Sequence, residues 1–293
     1  MPFLNRRRFL QVAASVAATG ALALGEDSAI LEPNQPILTT MEVVLTRLPV
    51  AFDGLTIAQL SDFHYDRLSA VPLRAAIEIV NHLQPDVVAL TGDFVTAPPL
   101  HRRFRAVTHP ASAAEPCASL LQHLHPRRGM VSVLGNHDMD TDPPRIAATL
   151  QSHGIPVLRN RAIPIEQGWS RIWLCGLDSV LEENQDLDLA LQTVPRDELV
   201  VLLVHEPDFA DQAAHYPVDL QLSGHSHGGQ VWLPGIGAPW LPRLARKYPR
   251  GLHRIGPLTL YTNMGLGTIR LPVRVNCPPE VTLFTLRSPN RNG

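Results

Sequence analysis

The sequence predicts an α/β protein built as a single large domain, and three observations support this class. Short apolar runs rich in β-branched residues alternate with segments of helical spacing through the first half of the chain, as in βαβ units. Several of these runs are followed directly by Asp, Asn or His, so polar side chains are expected at strand ends. The chain beyond Gly228 is mostly of β type. With 293 residues, of which 45% are hydrophobic, the chain can bury a sizeable core.

The amino terminus carries the pattern of an export signal. Arg6, Arg7 and Arg8 precede an uncharged, Ala-rich stretch over 12–25, and the segment resembles a bacterial twin-arginine signal. An ordinary amphipathic helix is the alternative, although the stretch is apolar on every face. We expect the twin-arginine machinery to export the protein across the bacterial cytoplasmic membrane, to the periplasm or the outer membrane face; an uncleaved signal would anchor it there.

The remaining chain divides into a linker, one domain and a tail. Residues 26–40 contain several acids and prolines and are interpreted as a linker. The domain is expected over residues 41–288, because the polar clusters that belong together lie well inside this range. Residues 289–293 form a C-terminal tail.

The first half of the domain is predicted from runs of β-branched residues, helical spacing and proline content. Leu73, Ala76, Ile77 and Val80 recur at helical spacing after Pro72. The predicted elements are strand Met41–Leu48, strand Leu55–Leu60, helix Pro72–His82, strand Asp86–Leu90, a long loop over 97–116, short helix Ala118–Leu124 and strand Met130–Leu134.

The second half is predicted in the same way and becomes richer in strands. Its most hydrophobic run is Leu199–Val204, and Asp208 can cap a short helix after it. The predicted elements are helix Pro144–His153, strand Arg171–Gly176, helix Glu183–Gln192, strand Leu199–Val204, strand Val218–Leu222, and strands Gln230–Leu233, Leu258–Thr262 and Val281–Leu286.

Seven polar side chains at or near the ends of predicted strands form a candidate metal site. They are Asp62, His64, Asp93, Asn136, His205, His225 and His227. Two pairs of them are two residues apart, so in extended backbone both members of a pair point to the same side. Oxygen and nitrogen ligands without a thiolate suit two divalent ions such as manganese, iron, cobalt or zinc, with manganese favoured here. Four histidines argue against magnesium.

The motifs DxH, GD, GNHD, H and GHxH, in this order, resemble the calcineurin-like metallophosphoesterase superfamily over residues 41–288. The resemblance implies a four-layer α/β/β/α sandwich. It also implies that Asp62, His64 and His227 hold one ion, that Asn136, His205 and His225 hold the other, and that Asp93 bridges them. A metal-bridged hydroxide would attack the phosphorus. His137 would protonate the leaving oxygen, with Asp138 or another acid orienting its ring.

Three further segments resemble a subgroup of exported or membrane-associated bacterial phosphodiesterases: Gly224–Gln230, Gly265–Gly267 and Cys277–Glu280. Some members hydrolyse the pyrophosphate of UDP-2,3-diacylglucosamine. The resemblance thus implies hydrolysis of a phosphodiester or pyrophosphate, in a small-molecule or lipid-linked substrate. The alternative is a catalytically silent, metal-stabilised binding platform of the same fold. One departure is Thr96, where many relatives have a second Asp, which places a supporting hydrogen bond in doubt.

Charge and cysteine content limit the possible partners. A net charge of −2 and a pI near 6.7 argue against nucleic acid as the main partner. The stretch 240–254 mixes basic and apolar residues, which fits either peripheral membrane contact or a solvated loop with buried anchors. Three scattered cysteines are too few for a disulfide framework or a CxxC zinc site, and we expect them to be small buried hydrophobes.

Overall fold

The structure of the protein is a computed structural model that describes residues 25–66, 68–97 and 110–289. Apart from Gly25, the predicted signal segment lies outside the described residues, and so does most of the tail. Two β-sheets pack face to face, and helices cover the outer face of each sheet. This arrangement is the predicted four-layer α/β/β/α sandwich in a single domain.

The first sheet consists of five strands and is mostly parallel. Its strands are β1 (Ile37–Val44), β2 (Thr56–Leu60), β3 (Val87–Leu90), β4 (Met130–Ser132) and β11 (Glu280–Arg287). Their order across the sheet is β1-β11-β2-β3-β4, and only the β11–β2 pair is antiparallel. Strands β2, β3 and β4 therefore end at the same edge of the sheet.

The second sheet has six strands, and its centre is also parallel. Its strands are β5 (Arg161–Gln167), β6 (Ser170–Gly176), β7 (Leu199–Leu203), β8 (Leu220–Ser223), β9 (Gly251–Ile255) and β10 (Leu258–Thr262). The order is β5-β6-β7-β8-β10-β9. The two outer strands, β5 and β9, pair antiparallel with their neighbours, so the carboxyl ends of β7 and β8 lie together.

The helices are short and lie outside the two sheets. They are α1 (Ala70–Leu83), α2 (Ala114–Leu121), α3 (Asn136–Met139), α4 (Pro143–Ser152), α5 (Leu187–Leu191) and α6 (Ala210–Ala213). Helices α1, α2 and α4 pack on the first sheet, while α5 and α6 pack on the second. No helix within the described ranges combines the length and the hydrophobicity needed to cross a bilayer.

A central apolar layer joins the two sheets. Ile57 and Phe284 of the first sheet and Leu174, Val201 and Leu222 of the second are completely or almost completely buried in this layer. Alternate residues of the buried strands point to the other face and contact the helices, because side chains alternate along a strand. Strands buried on both faces explain the continuous hydrophobic runs in the sequence.

The predicted linker over 26–40 is wrong in part. Helical turns cover Asp27–Leu31 and Glu32–Asn34, and residues 37–40 already belong to β1. The carboxylate of Glu32 accepts hydrogen bonds from the backbone N–H groups of Asn276 and Cys277. Pairing with β11 orders residues 37–40. The amino-acid composition of the segment does not reveal such long-range pairing.

Other differences involve edge strands and element boundaries. Residues 230–233 form only single bridges, to Val275 and Gly237, instead of the predicted strand. The edge strands β5 and β9 were not predicted. Helix α2 begins within the predicted loop over 97–116. The helix predicted over Glu183–Gln192 is limited to α5, because the Asp186 carboxylate caps it by accepting from the N–H of Leu189 at 2.8 Å.

Candidate metal centre

The seven predicted ligand residues meet where the two sheets end side by side. Asp62 and His64 follow β2, Asp93 follows β3, and Asn136 begins α3 just beyond β4. From the second sheet, His205 follows β7, and His225 and His227 follow β8. Each sheet thus contributes side chains at the carboxyl ends of its parallel strands, which is the usual location of ligand sites in α/β proteins. We call these seven residues the Asp/His cluster.

Two groups of donor atoms lie within the cluster. Asp62, His64 and His227 form one group, and Asp93, His205 and His225 form the other; within each, one donor atom per residue lies within 4.8 Å of the others. His64 Nε2 is 3.1 Å from His227 Nε2, and His227 Nε2 is 3.4 Å from Asp62 Oδ1.

Asp93 lies between the two groups. Its Oδ2 is 3.1 Å from His205 Nε2 and 3.4 Å from His64 Nε2. One carboxylate is therefore in reach of donors from both groups, as the resemblance implies for a bridging ligand.

The residues present fit the ions that the motifs imply. The Oδ1 atom of Asn136 is buried and has no hydrogen-bond partner among the described residues, and the same is true of His227 Nδ1. Buried polar atoms without a partner are rare in proteins, and a cation would satisfy the Asn136 oxygen. The donor set contains only oxygen and nitrogen atoms, which suits divalent ions such as manganese or zinc.

Hydrogen bonds from outside the cluster fix the orientation of three imidazoles. His205 donates from Nδ1 to the carbonyl of Thr91 at 2.7 Å, so its Nε2 is free to bind a metal. His225 donates from Nε2 to the carbonyl of Arg243 at 2.8 Å, which leaves its Nδ1 free. His64 Nδ1 is hydrogen-bonded to Thr96 Oγ1 at 3.0 Å. The sequence placed a supporting hydrogen bond at Thr96 in doubt; in the structure, the threonine hydroxyl makes one.

Burial and neighbouring charges shift the pKa values in the cluster. Burial lowers the pKa of His64, His225 and His227, which favours the neutral imidazole that binds metals. Burial also opposes the charged form of His205, but the carboxylates of Asp93 and Asp62 outweigh it and raise the pKa. Burial opposes the charged form of Asp93 as well, yet nearby imidazoles, chiefly His205, lower its pKa.

Backbone strain is concentrated at the cluster. Five of the seven residues have positive φ angles: Asp62 at 52°, His64 at 40°, Asp93 at 56°, His225 at 67° and His227 at 51°. This left-handed conformation is uncommon for residues other than glycine, and strain of this kind is often found at functional sites. The backbone around the cluster is also tightly packed, because a Cβ on Gly92 would lie 2.5 Å from the backbone nitrogen of Gly135.

His137 and Asp138 lie beside the cluster, but Asp138 does not have its predicted role. The Nδ1 of His137 accepts a hydrogen bond from the N–H of Ala97 at 3.0 Å. The Asp138 carboxylate instead accepts from the N–H groups of Val95 and Gly135, at 3.1 and 3.0 Å. It holds two loops together, and a backbone amide orients the His137 ring. Burial and the charge of Asp93 raise the pKa of Asp138 to about 7, against the opposing effect of these hydrogen bonds.

Two supporting residues were missed by sequence reasoning. Glu206 is completely buried and accepts hydrogen bonds from Ser179 Oγ and the N–H of Val180. Arg274 is also completely buried, and its guanidinium donates to the carbonyls of Met264, Gly265, Gly267 and Cys277. The position of Glu206 directly after His205 was a signal that could have been used; Arg274 offered none, because its partners are backbone atoms. The three cysteines are free and buried, as predicted.

A cleft of about 480 Å³ opens above the cluster. Asp93, Asn136, His137, His225 and His227 contribute to its lining. The remaining lining residues are mostly apolar, with two arginines: Thr96, Ala97, Leu181, Trp240, Pro242, Arg243, Ile269 and Arg270. The site can therefore hold a group considerably larger than phosphate.

The stretch 240–254 is attached to the body of the protein. Asp208 accepts hydrogen bonds from the backbone N–H groups of Arg246, Lys247 and Tyr248. The Lys247 ammonium is paired with Asp211 at 2.7 Å. Buried or paired anchors are therefore present in this stretch, while the side chain of Trp240 remains half exposed at 49%.

The family model and the comparisons with curated relatives agree with the motifs. The family model described as calcineurin-like phosphoesterase matches residues 55–229. The uncharacterized metallophosphoesterase YkuE of Bacillus subtilis is 34% identical, over 99% of this chain and 100% of its own. Phosphodiesterase YaeI of Escherichia coli is 31% identical, over 97% of this chain and 99% of its own. A solved dimetal phosphatase from Danio rerio aligns over 73% of this chain and 88% of its own, with 14% identity and a TM-score of 0.43.

Proposed function

The chain belongs to the calcineurin-like phosphoesterase family and is a hydrolase of phosphoric esters, and from this premise we propose that it hydrolyses a phosphodiester or a pyrophosphate. One observation carries the proposal. Seven oxygen and nitrogen side chains from two sheets converge beside a cleft, and four of them line it together with His137. All the ligands are in place, which disfavours a catalytically silent binding platform.

The family is dimetal-dependent, and the Asp/His cluster offers places for two ions. Asp62, His64 and His227 would hold one ion, while Asn136, His205 and His225 would hold the other, and Asp93 would be shared between them. Such a pair of ions, with manganese favoured, would supply Lewis acidity at the phosphoryl oxygens and lower the pKa of water. The carbonyls of Thr91 and Arg243 hold the imidazoles of His205 and His225 in place.

His137 acts as the general acid in this proposal. Its Nδ1 accepts the hydrogen bond from Ala97, so Nε2 is the ring nitrogen that can face the leaving oxygen. The His137 side chain lines the cleft beside Asp93 and Asn136, which supports its access to substrate. Hydrolysis forms a P–O bond to water and breaks the P–O bond to the leaving group, which takes the proton.

The size and lining of the cleft support a substrate with a large leaving or carrier group. Leu181, Trp240 and Ile269 offer apolar surface to such a group. A lipid-linked pyrophosphate such as UDP-2,3-diacylglucosamine has this character. The name of YaeI, a phosphodiesterase, supports the diester class.

We propose that the protein is exported from the cytoplasm and contacts a membrane. The pattern of Arg6–Arg8 before an apolar stretch supports export by the twin-arginine machinery. Half-exposed Trp240 and exposed Arg246, within residues 240–254, support peripheral contact with anionic lipid. Charge reversal at Arg246 is expected to weaken binding to vesicles containing phosphatidylglycerol; unchanged binding would contradict this contact.

A simple assay tests the main proposal. The purified protein is incubated with bis-p-nitrophenyl phosphate after chelation and after addition of manganese. We expect manganese-dependent release of nitrophenol, lost in Asp93→Asn and kept in His215→Ala, which removes an exposed imidazole outside the cluster. A folded, metal-loaded protein without turnover on diesters or pyrophosphates would instead support the binding platform.

A further inference from the structure

Two arginines on the cleft wall have no acidic partner. The side chains of Arg243 and Arg270 line the same cleft as His137. Within the described part of the chain, neither guanidinium forms an ion pair with a carboxylate, whereas Arg47, Arg159, Arg171 and Arg287 all do.

A contact that leaves its charge available holds the Arg270 guanidinium in position, and Arg243 is tied to the Asp/His cluster through its backbone. The guanidinium carbon of Arg270 lies 4.5 Å from the centroid of the Trp240 ring, a cation–π contact that uses the face of the group. The backbone of Arg243 is fixed to the Asp/His cluster, because its carbonyl accepts the Nε2–H of His225. A positioned guanidinium loses less entropy when it binds an anion than a free one does.

The charge of these arginines is not needed by the cluster itself. The acidic side chains there, Asp62 and Asp93, are surrounded by imidazoles, and their carboxylate oxygens are possible ligands for cations. Arginine binds carboxylate or phosphate with its planar fork, often through two parallel hydrogen bonds. An anion on the wall of the cleft would therefore be a group other than the phosphoryl group that reacts at its floor.

We propose that Arg243 and Arg270 bind a second anionic group of the substrate, one phosphate beyond the phosphorus at which hydrolysis occurs. This inference rests on the proposed function and narrows it: the natural substrate is a pyrophosphate diester, not a simple phosphodiester. The apolar wall formed by Leu181 and Ile269 then accommodates the group that the pyrophosphate carries.

The test compares two kinds of substrate across matched variants. The ratio of kcat/KM for a pyrophosphate diester to kcat/KM for bis-p-nitrophenyl phosphate is measured, with UDP-glucose and UDP-2,3-diacylglucosamine as the pyrophosphates. We expect Arg243→Ala and Arg270→Ala each to lower this ratio at least tenfold, mainly by raising KM for the pyrophosphate. Arg270→Lys keeps the charge and is expected to recover part of the loss.

The control is Arg250→Ala. Arg250 also stacks on a tryptophan, with its guanidinium carbon 3.5 Å from the centroid of Trp232, but it does not line the cleft. This variant is expected to keep the wild-type ratio. An unchanged ratio in both Arg243→Ala and Arg270→Ala would overturn the inference. It would also be overturned if the wild-type protein hydrolysed bis-p-nitrophenyl phosphate but neither pyrophosphate. Absence of activity on every substrate would instead overturn the proposed function.

Discussion

At the scale of single residues, the hydrogen bond from Ala97 determines what His137 can do. Because Nδ1 accepts the N–H of Ala97, Nε2 is the nitrogen that the ring can present to a substrate. We expect His137→Ala to lower kcat about 10²- to 10⁴-fold on esters with an alkyl leaving group. The loss should be smaller for p-nitrophenyl esters, whose leaving group needs little protonation. Steady-state rates on the two ester types, with metal content measured by elemental analysis, check this.

Metal content distinguishes this role from ligation. His137→Ala is expected to retain both ions, whereas a ligand variant such as His205→Ala loses metal. Wild-type turnover on the alkyl ester in His137→Ala would refute the assignment of His137 as general acid.

Thr96 supports His64 through its hydroxyl, at 3.0 Å from Nδ1. Loss of such an outer hydrogen bond commonly weakens metal binding about 10- to 100-fold. We therefore expect Thr96→Val to raise the dissociation constant for manganese by about this factor, and Thr96→Ser to remain near wild type. Titration of the metal-free protein with manganese measures both constants. Equal affinities in the valine and serine variants would show that the hydroxyl does not support the ligand.

Ligand chemistry is visible in a sequence, whereas the groups that orient the ligands often are not. Asp62, His64 and Asp93 could be predicted as candidate ligands because Asp and His side chains are common metal ligands and these three residues follow apolar runs. The carbonyls of Thr91 and Arg243 could not, since every residue has a carbonyl and only the folded chain brings these two to histidines. Asp138 was misjudged for the same reason, because its partners are backbone amides.

At the scale of elements, the loop from Met264 to Cys277 supports the floor of the site. A Cβ on Gly265 would lie 2.6 Å from the Cβ of Asp62, so the loop backbone packs directly against a predicted ligand. Arg274 holds this loop by donating to four of its carbonyls, at distances between 2.6 and 3.2 Å.

Removal of the Arg274 guanidinium should therefore destabilise the fold. Arg274→Met keeps the aliphatic stem but leaves several buried carbonyls without donors, each at a cost of about 1–3 kcal/mol. We expect a loss of about 3 kcal/mol or more, which lowers Tm by roughly 6–12 °C in a domain of this size. Calorimetry measures the shift. The control is Arg171→Met, whose guanidinium pairs with Glu198 at the surface, and a similar shift in both variants would contradict the role of Arg274.

The central strands could be predicted because they are buried on both faces, whereas the largely exposed edge strand β1 was predicted only from residue 41 onward. The runs in β7 and β3 are continuously hydrophobic, and they flank the site. The edge strand β5 alternates weakly and is largely exposed, so its pairing with β6 depends on the neighbouring strand and not on its own pattern. The segment after Gln230 shows the converse error: a strand was predicted there, but Val231 and Leu233 each form only one isolated bridge.

At the scale of the whole molecule, the Asp/His cluster joins the two sheets. Asp62 and Asp93 come from the first sheet, and His205, His225 and His227 come from the second. The cluster is therefore complete only when the central apolar layer is packed. A salt bridge outside the cluster also joins the sheets. Arg47, which follows β1, contacts Asp219, which precedes β8, at 2.6 Å. The order of the motifs predicted this convergence, but the register of one sheet on the other could not be read from the sequence.

Metal removal should consequently destabilise the whole domain. Ions that bind the folded chain and not the unfolded one stabilise it by about 2.7 kcal/mol at 100 times their dissociation constant. We expect chelation to lower Tm by roughly 5–10 °C and manganese to restore it. Asp93→Asn removes a carboxylate that lies 3.4 Å from His64 and 3.1 Å from His205. The Tm of this variant should therefore change much less on chelation or on addition of manganese. Scanning calorimetry of both proteins, with and without chelator, checks this. Identical melting of the wild-type protein under both conditions would mean that the two sheets do not share bound ions.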